Sequence, residues 1–259
     1  MNRRHLLAGA AGASLSATAF GDTPKKAIFE LCYFRMRNAY INQMQRTSEF
    51  LENGMAPALR RAGAGPLGFF SGVIAAESPF ILALISYPSF SAVESIAEKM
   101  AVDTSYAKAR GEYNNAAGLS YQRVENSLLR AFDSMPGIEG VDPNMRRNPR
   151  IFELRTYESN NSSTLQKKIR MFDEGEIAIF RRCGLAPIFF GETVIGQNLP
   201  NLTYMVAFDD LAAREKAWRA FGADPEWQKL RVQPEFTDAD IVSNVSNAIL
   251  RPLAFSDIR

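Results

Sequence analysis

An α+β protein of two βαββαβ units packed sheet against sheet is what this sequence predicts, and three observations carry the prediction. First, the chain repeats itself. Ile28-Phe29-Glu30-Leu31 returns as Ile151-Phe152-Glu153-Leu154, and the register then settles at an offset of 121 residues. Arg60-Arg61-Ala62-Gly63 becomes Arg181-Arg182-Cys183-Gly184, and Leu129-Arg130 becomes Leu250-Arg251. Second, each repeat reads strand, helix, strand, strand, helix, strand, the order of the ferredoxin-like unit with two helices on one face of a four-stranded antiparallel sheet. Third, such a unit alone leaves one apolar sheet face bare, a larger patch than soluble monomers carry. Two in one chain can cover these faces with each other, as a pseudo-twofold α/β barrel.

The elements follow in order. Residues 1–19 read as a cleaved export signal. Arg3-Arg4 precedes an uncharged Ala/Gly/Ser-rich run from Leu6 to Phe20, too short to span a bilayer, and Ala17-Thr18-Ala19 is an A-x-A cleavage site. The paired arginines point to the twin-arginine route and hence to the periplasm. The first unit, 26–132, places strands at 27–34, 67–75, 80–87 and 121–130, with a first helix from Asn42 to Ala62 closed by Gly63. Asp133 to Pro149 is a Pro/Gly linker. The second unit, 150–257, opens with a strand at 151–157. A capping box, Ser163 at the N-cap and Gln166 at N3, starts a helix that Gly184 ends. Strands follow at 187–195 and 202–208, a helix capped at Asp209-Asp210, a helical turn restarted at Asp224-Pro225, and a last strand at 241–251.

Composition excludes several functions. The only histidine, His5, lies in the signal, so the mature chain has no imidazole for a Ser-His-Asp unit, a His-ligated haem or a His-bearing zinc site. Loss of Arg3 and Arg4 leaves equal numbers of basic and acidic residues, which argues against nucleic acid or an anionic membrane as partner. No later segment approaches the length of a membrane span. Cys32 and Cys183 sit at non-equivalent places and read as small buried hydrophobes, with a disulfide as the lesser alternative. No Gly-rich phosphate loop, metal-ligand cluster or nucleophile elbow appears, so neither cofactor nor metal is expected.

Period-two alternation sorts the strand at 151–157. Phe152, Leu154 and Thr156 share one face, assigned to the helices. Glu153, Arg155 and Tyr157 share the other, assigned to the space between the sheets. These three are the candidate catalytic residues: a carboxylate and guanidinium two apart can pair, hold an anion or tune a base. Tyr204, Arg251, Arg130 and Glu30 are candidate ligand contacts, the two arginines and Glu30 also reading as symmetric ion-pair partners. Lys167-Lys168-Ile169-Arg170 reads as a solvated helix face, and Trp218 and Trp227 as core or rim packing.

Ile151-Phe152-Glu153-Leu154-Arg155-Thr156-Tyr157, Ala207-Phe208-Asp209-Asp210-Leu211-Ala212-Ala213-Arg214, Asp224-Pro225-Glu226-Trp227 and Ile249-Leu250-Arg251-Pro252-Leu253-Ala254-Phe255 together resemble the NIPSNAP domain. The first half matches more loosely, through Phe29-Glu30-Leu31, Arg60-Arg61-Ala62-Gly63 and Leu129-Arg130. The resemblance implies a tandem NIPSNAP protein of the dimeric α/β-barrel superfamily, which holds cofactor-free monooxygenases, isomerases, haem enzymes and binding proteins. The chain departs from the family's pattern on the third strand. Where a His and a Trp often stand, it has Tyr204 and Val206, and in the first half Ala83 and Ile85. Two readings follow: a protein binding a small, partly apolar ligand or a protein partner in the barrel cleft, with homo-oligomers open; or a cofactor-independent monooxygenase or isomerase using Glu153, Arg155 and Tyr157. Where the halves differ, the polar residue stands in the second. Any site is therefore expected there, with the first half as its apolar wall.

Overall fold

The computed structural model describes residues 25–37, 42–141, 150–237 and 241–259. The expected export signal, its expected cleavage point and the end of the linker lie outside the described residues. The first unit consists of β1 (Ile28–Arg35), α1 (Gln43–Phe50), a π turn (Leu51–Met55), α2 (Ala56–Ala62), β2 (Leu67–Ile74), β3 (Phe80–Tyr87), α3 (Phe90–Ala101), α4 (Thr104–Asn115) and β4 (Arg123–Ala131). The second repeats it: β5 (Ile151–Glu158), α5 (Ser162–Met171), a π turn (Phe172–Glu176), α6 (Ile177–Cys183), β6 (Ala186–Ile195), β7 (Asn201–Phe208), α7 (Leu211–Ala223), α8 (Pro225–Leu230) and β8 (Asn244–Pro252).

Local chemistry sets the boundaries. Gly63 and Gly184 end their helices at φ 105° and 88°, a left-handed conformation that costs a residue with a Cβ. Asp103, Asp210 and Asp224 cap α4, α7 and α8 through their carboxylates. The start of α5 differs from the sequence expectation. Its N-cap is Asn161, whose side chain accepts from the Thr164 amide while the Thr164 hydroxyl closes the reciprocal bond. Ser163 is already inside the helix. The long first helix of each unit is also not uniform: equivalent π turns at 51–55 and 172–176 each let one extra residue into the helix.

The eight strands close into one antiparallel barrel in the order β1-β3-β2-β8-β5-β7-β6-β4. Each unit supplies four adjacent strands. The units join edge to edge, β2 on β8 and β4 on β6, with the helices outside. The barrel has its own apolar core, drawn from both halves: Phe29, Leu31, Phe70, Leu82, Leu84, Leu129, Phe152, Leu154, Phe189, Met205 and Leu250. Two further cores lie under the helices, one per unit.

This arrangement reverses the face assignment made for β5. Phe152 and Leu154 point into the barrel, and Glu153, Arg155 and Tyr157 point outward under the helices. The reason is geometric. An eight-stranded barrel is just wide enough for its interior to be filled by side chains, so its middle takes the large apolar residues of every strand. A carboxylate there would find only strand backbone already spent in the ladder. On the outer face, helix side chains bring it donors.

Candidate functional site

Under the helices of the second unit, Glu153 is fully buried. Its Oε1 accepts from Arg155 Nη1 at 2.8 Å, Arg214 Nη2 at 2.7 Å and Asn247 Nδ2 at 3.1 Å. Its Oε2 accepts from Arg214 Nε at 2.7 Å and Trp218 Nε1 at 2.8 Å. Those donors saturate a carboxylate. Burial acts most strongly on this group and would raise its pKa. The bonds from Arg214, Asn247 and Trp218 and the charge of Arg155 together outweigh it and hold the pKa at about 2. The network runs on: Arg155 Nη2 donates to the Tyr157 hydroxyl at 3.2 Å, and the Tyr204 hydroxyl donates to the same oxygen at 2.9 Å. Tyr204 is fully buried, stacked on Phe190 at 4.8 Å, and burial pushes its phenol well above the usual range.

The sequence reading placed Lys168 on a solvated face. It is instead buried, with Nζ 3.0 Å from the equally buried Glu176 Oε2 and over the rings of Phe172, Tyr157 and Trp227 at 4.8, 5.5 and 5.7 Å. The π turn brings Glu176 into reach of Lys168. Rings on three sides stabilise the ammonium by their quadrupoles.

Of the predicted site residues, Glu153, Arg155, Tyr157 and Tyr204 come together in this network. Arg251 and Arg130 do not; both are exposed, and among the described residues neither forms an ion pair, although Arg130 lies opposite Glu192 on β6. Arg251 lies opposite Ser71 on β2, and Arg130 stacks over Phe90 at 5.6 Å. Glu30 occupies the place equivalent to Glu153 in the first unit, but its partner is the Tyr87 hydroxyl at 2.7 Å, and burial raises its pKa. Val93 and Ala97 stand there where the second unit has Arg214 and Trp218. Cys32 is buried and Cys183 half-buried, and both are free. Nor does the first half wall the second-half network. Each network lies under its own helices, and the halves meet inside the barrel.

Sequence reasoning missed Arg214, Trp218 and Asn247. The first two stand four apart on one helix face, a spacing that could have marked them as a pair. It also missed the barrel mouth. Along the inward face of β1 the residues run Phe29, Leu31, Tyr33, Arg35, and along β5 Phe152, Leu154, Thr156, Glu158, apolar to polar on both. At this end the β2–β8 pairing stops at Ile249 and the β4–β6 pairing at Leu128. Residues 244–248 and 123–127 are therefore paired on one side only among the described residues. Two cavities open at these seams, equivalent by the pseudo-twofold. One, of about 270 Å³, lies beside residues 75–77, over Phe80 and Ala248. The other, of about 200 Å³, lies beside Gln197 and Asn198, lined by Asn126, Ser127, Thr156, Thr193 and Thr203. They share Tyr33, Arg35, Leu154, Thr156, Asn198 and Ser246. Arg35 Nε donates to Glu125 Oε2 at 2.9 Å, and its guanidinium lies over the Tyr33 ring at 4.2 Å. Burial would raise the Glu125 pKa, but Arg123 and Arg35 more than offset it and lower it.

Among the described residues, no group of His, Cys, Asp and Glu could hold a metal ion, and no helix is long and apolar enough to cross a membrane. A search of curated proteins gave no match. Two solved structures share the overall fold. A proposed monooxygenase from Lactobacillus acidophilus is 11% identical, with a TM-score of 0.58 over 88% of this chain and 94% of that one. Another, from Fusobacterium nucleatum, is 8% identical, with a TM-score of 0.56 over 88% of this chain and 93% of that one. A NIPSNAP-like domain protein from Burkholderia xenovorans is 26% identical over 41% of this chain and 88% of its own, with a TM-score of 0.37. Residues 152–257, most of the second half of this chain, match the NIPSNAP family.

Proposed function

We propose that the chain is an exported binding protein, a tandem of NIPSNAP units at 26–132 and 150–257, that takes a small, partly apolar ligand in the mouth of its barrel. The observation that carries this reading is the change of chemistry along the barrel axis. The interior is a buried apolar core in its middle and a solvent-open cavity at one end, walled by hydroxyls and amides over the side chains of Leu31 and Leu154. An apolar floor with a few convergent polar groups is the usual make-up of a small-molecule site.

The alternative, a cofactor-independent monooxygenase or isomerase working through Glu153, Arg155 and Tyr157, gains nothing from the geometry. A general base must carry a free lone pair and a pKa near the working pH. Glu153 has neither: its oxygens are filled by five donated bonds and its pKa is held at about 2. The likeness to two proposed monooxygenases is one of fold, and fold does not choose a reaction.

Native mass spectrometry of the protein recovered from the periplasm tests the reading. The expected result is a co-purifying small molecule that is lost when Arg35 is replaced by Met. A bound molecule retained by Arg35→Met but lost on Tyr157→Phe would move the site to the second-unit network. Export by the twin-arginine route is tested by replacing both Arg3 and Arg4 with Lys, which should leave unprocessed precursor in the cytoplasm. Normal processing of that variant would assign export to another route.

A further inference from the structure

We propose that the cavity beside Gln197 and Asn198 binds a neutral polyhydroxylated molecule of monosaccharide size, an inference that rests on the mouth being the binding site. The first argument is charge. Arg35 and Glu125 face this cavity together and pair at 2.9 Å. A carboxylate ligand would be drawn to Arg35 but repelled by Glu125; an ammonium ligand meets the reverse. A hydroxyl accepts from Arg35 and donates to Glu125, and hydrogen bonds with one charged partner are the strong ones.

The second argument is unspent hydrogen-bonding capacity. The side chains of Ser127, Asn198 and Ser246 have no hydrogen-bond partner among the described residues, and all three residues line the cavity. Arg35 hydrogen-bonds Glu125 through Nε, and among the described residues neither Nη group has a hydrogen-bond acceptor. The guanidinium is nonetheless held in place over the neighbouring rings of Tyr33 at 4.2 Å and Phe80 at 5.2 Å. Amides and hydroxyls both donate and accept, which suits a ligand whose every edge does the same. By contrast Asn201, Thr193, Thr156 and Thr203 are spent on one another or on backbone and serve as framework.

The third argument is shape. The floor is Leu31 and Leu154, a patch that matches the C–H face of a sugar ring. At about 200 Å³ the cavity is smaller than the roughly 300–1,000 Å³ of drug-sized sites, so one ring fits and an extended chain does not.

Isothermal titration of the full mature chain with glucose, galactose and myo-inositol, and in parallel with succinate and putrescine, tests the proposal. At least one neutral probe should bind and both charged probes should not. Arg35→Met should weaken that binding by about 10- to 100-fold, the loss of a hydrogen bond with a charged partner. Ser246→Val, an exposed change outside the ion pair, should weaken it too and covers the case in which Arg35→Met does not fold. Binding of succinate or putrescine lost on Arg35→Met, with no neutral probe bound, would overturn the neutral class and leave the mouth as the site. No binding of any probe, or binding that neither substitution weakens, overturns both.

Discussion

Glu153 is where residue-scale electrostatics weigh most on stability. Its folded pKa of about 2 lies below the ordinary 4.5, so it contributes stability that is fully present above about pH 5. That contribution, on the order of 3 kcal/mol, is lost as pH falls through the folded value. Acid denaturation of Glu153→Gln should therefore be flatter between pH 5 and 2 than that of the parent chain; equal slopes would refute the assignment. At neutral pH the same substitution leaves Arg155 and Arg214 without their carboxylate, and unfolding in urea should show a loss of about 3–5 kcal/mol. Lys168 follows the same logic with a different remedy. Lys168→Met removes the ammonium 3.0 Å from the buried Glu176 carboxylate and should cost about 3–5 kcal/mol, whereas Lys168→Met with Glu176→Leu should recover most of it. A double variant no better than the single one would mean the pair contributes packing alone.

Helix α5 allows a test at the element scale, because sequence and structure disagree about where it begins. The pattern Ser163-x-x-Gln166 has the spacing of a cap, but Asn161 lies two residues earlier and takes the Thr164 amide first. Asn161→Ala should destabilise by about 1 kcal/mol in urea unfolding, and Ser163→Ala by a few tenths at most. The reverse ranking would restore the sequence reading. The succession of strands and helices, the αL glycines Gly63 and Gly184 and the caps at Asp210 and Asp224 were legible, because each depends on a few neighbouring residues. The π turns were not. Their effect is a change of facing along the helix that brings Glu176 over Lys168, and nothing in the local pattern of Phe172 to Glu176 marks it.

The molecule as a whole is held together inside the barrel and along two edge junctions. Each half alone would expose the inner face of its sheet and two strand edges, β2 and β4 or β6 and β8. In the intact chain the β6 edge pairs with β4, and the β8 edge with β2. A second copy of the same half offers equivalent edges, so residues 150–259 expressed alone should form a twofold dimer in light scattering, with β6 of one copy on β8 of the other. A soluble monomer would show that the half does not need the covered face. The mouth is also a property of this scale. Arg35 and Glu125 come from the first half, Thr156 and Asn198 from the second, and only closure of the barrel sets them around one cavity.

The sequence by itself determined the two βαββαβ units, their equivalence and the family resemblance of the second, because repeat spacing, periodicity and caps are local. It also determined which halves differ: Cys32 against Arg155, Phe34 against Tyr157, Ala83 against Tyr204. The tertiary structure alone decided which face of β5 turns inward. Alternation sorts residues into two sets, but both faces of this sheet are buried, so hydrophobicity cannot say which set goes where. Closing eight strands gives the interior to Phe152 and Leu154, and the donors of α7 claim Glu153 for the outside.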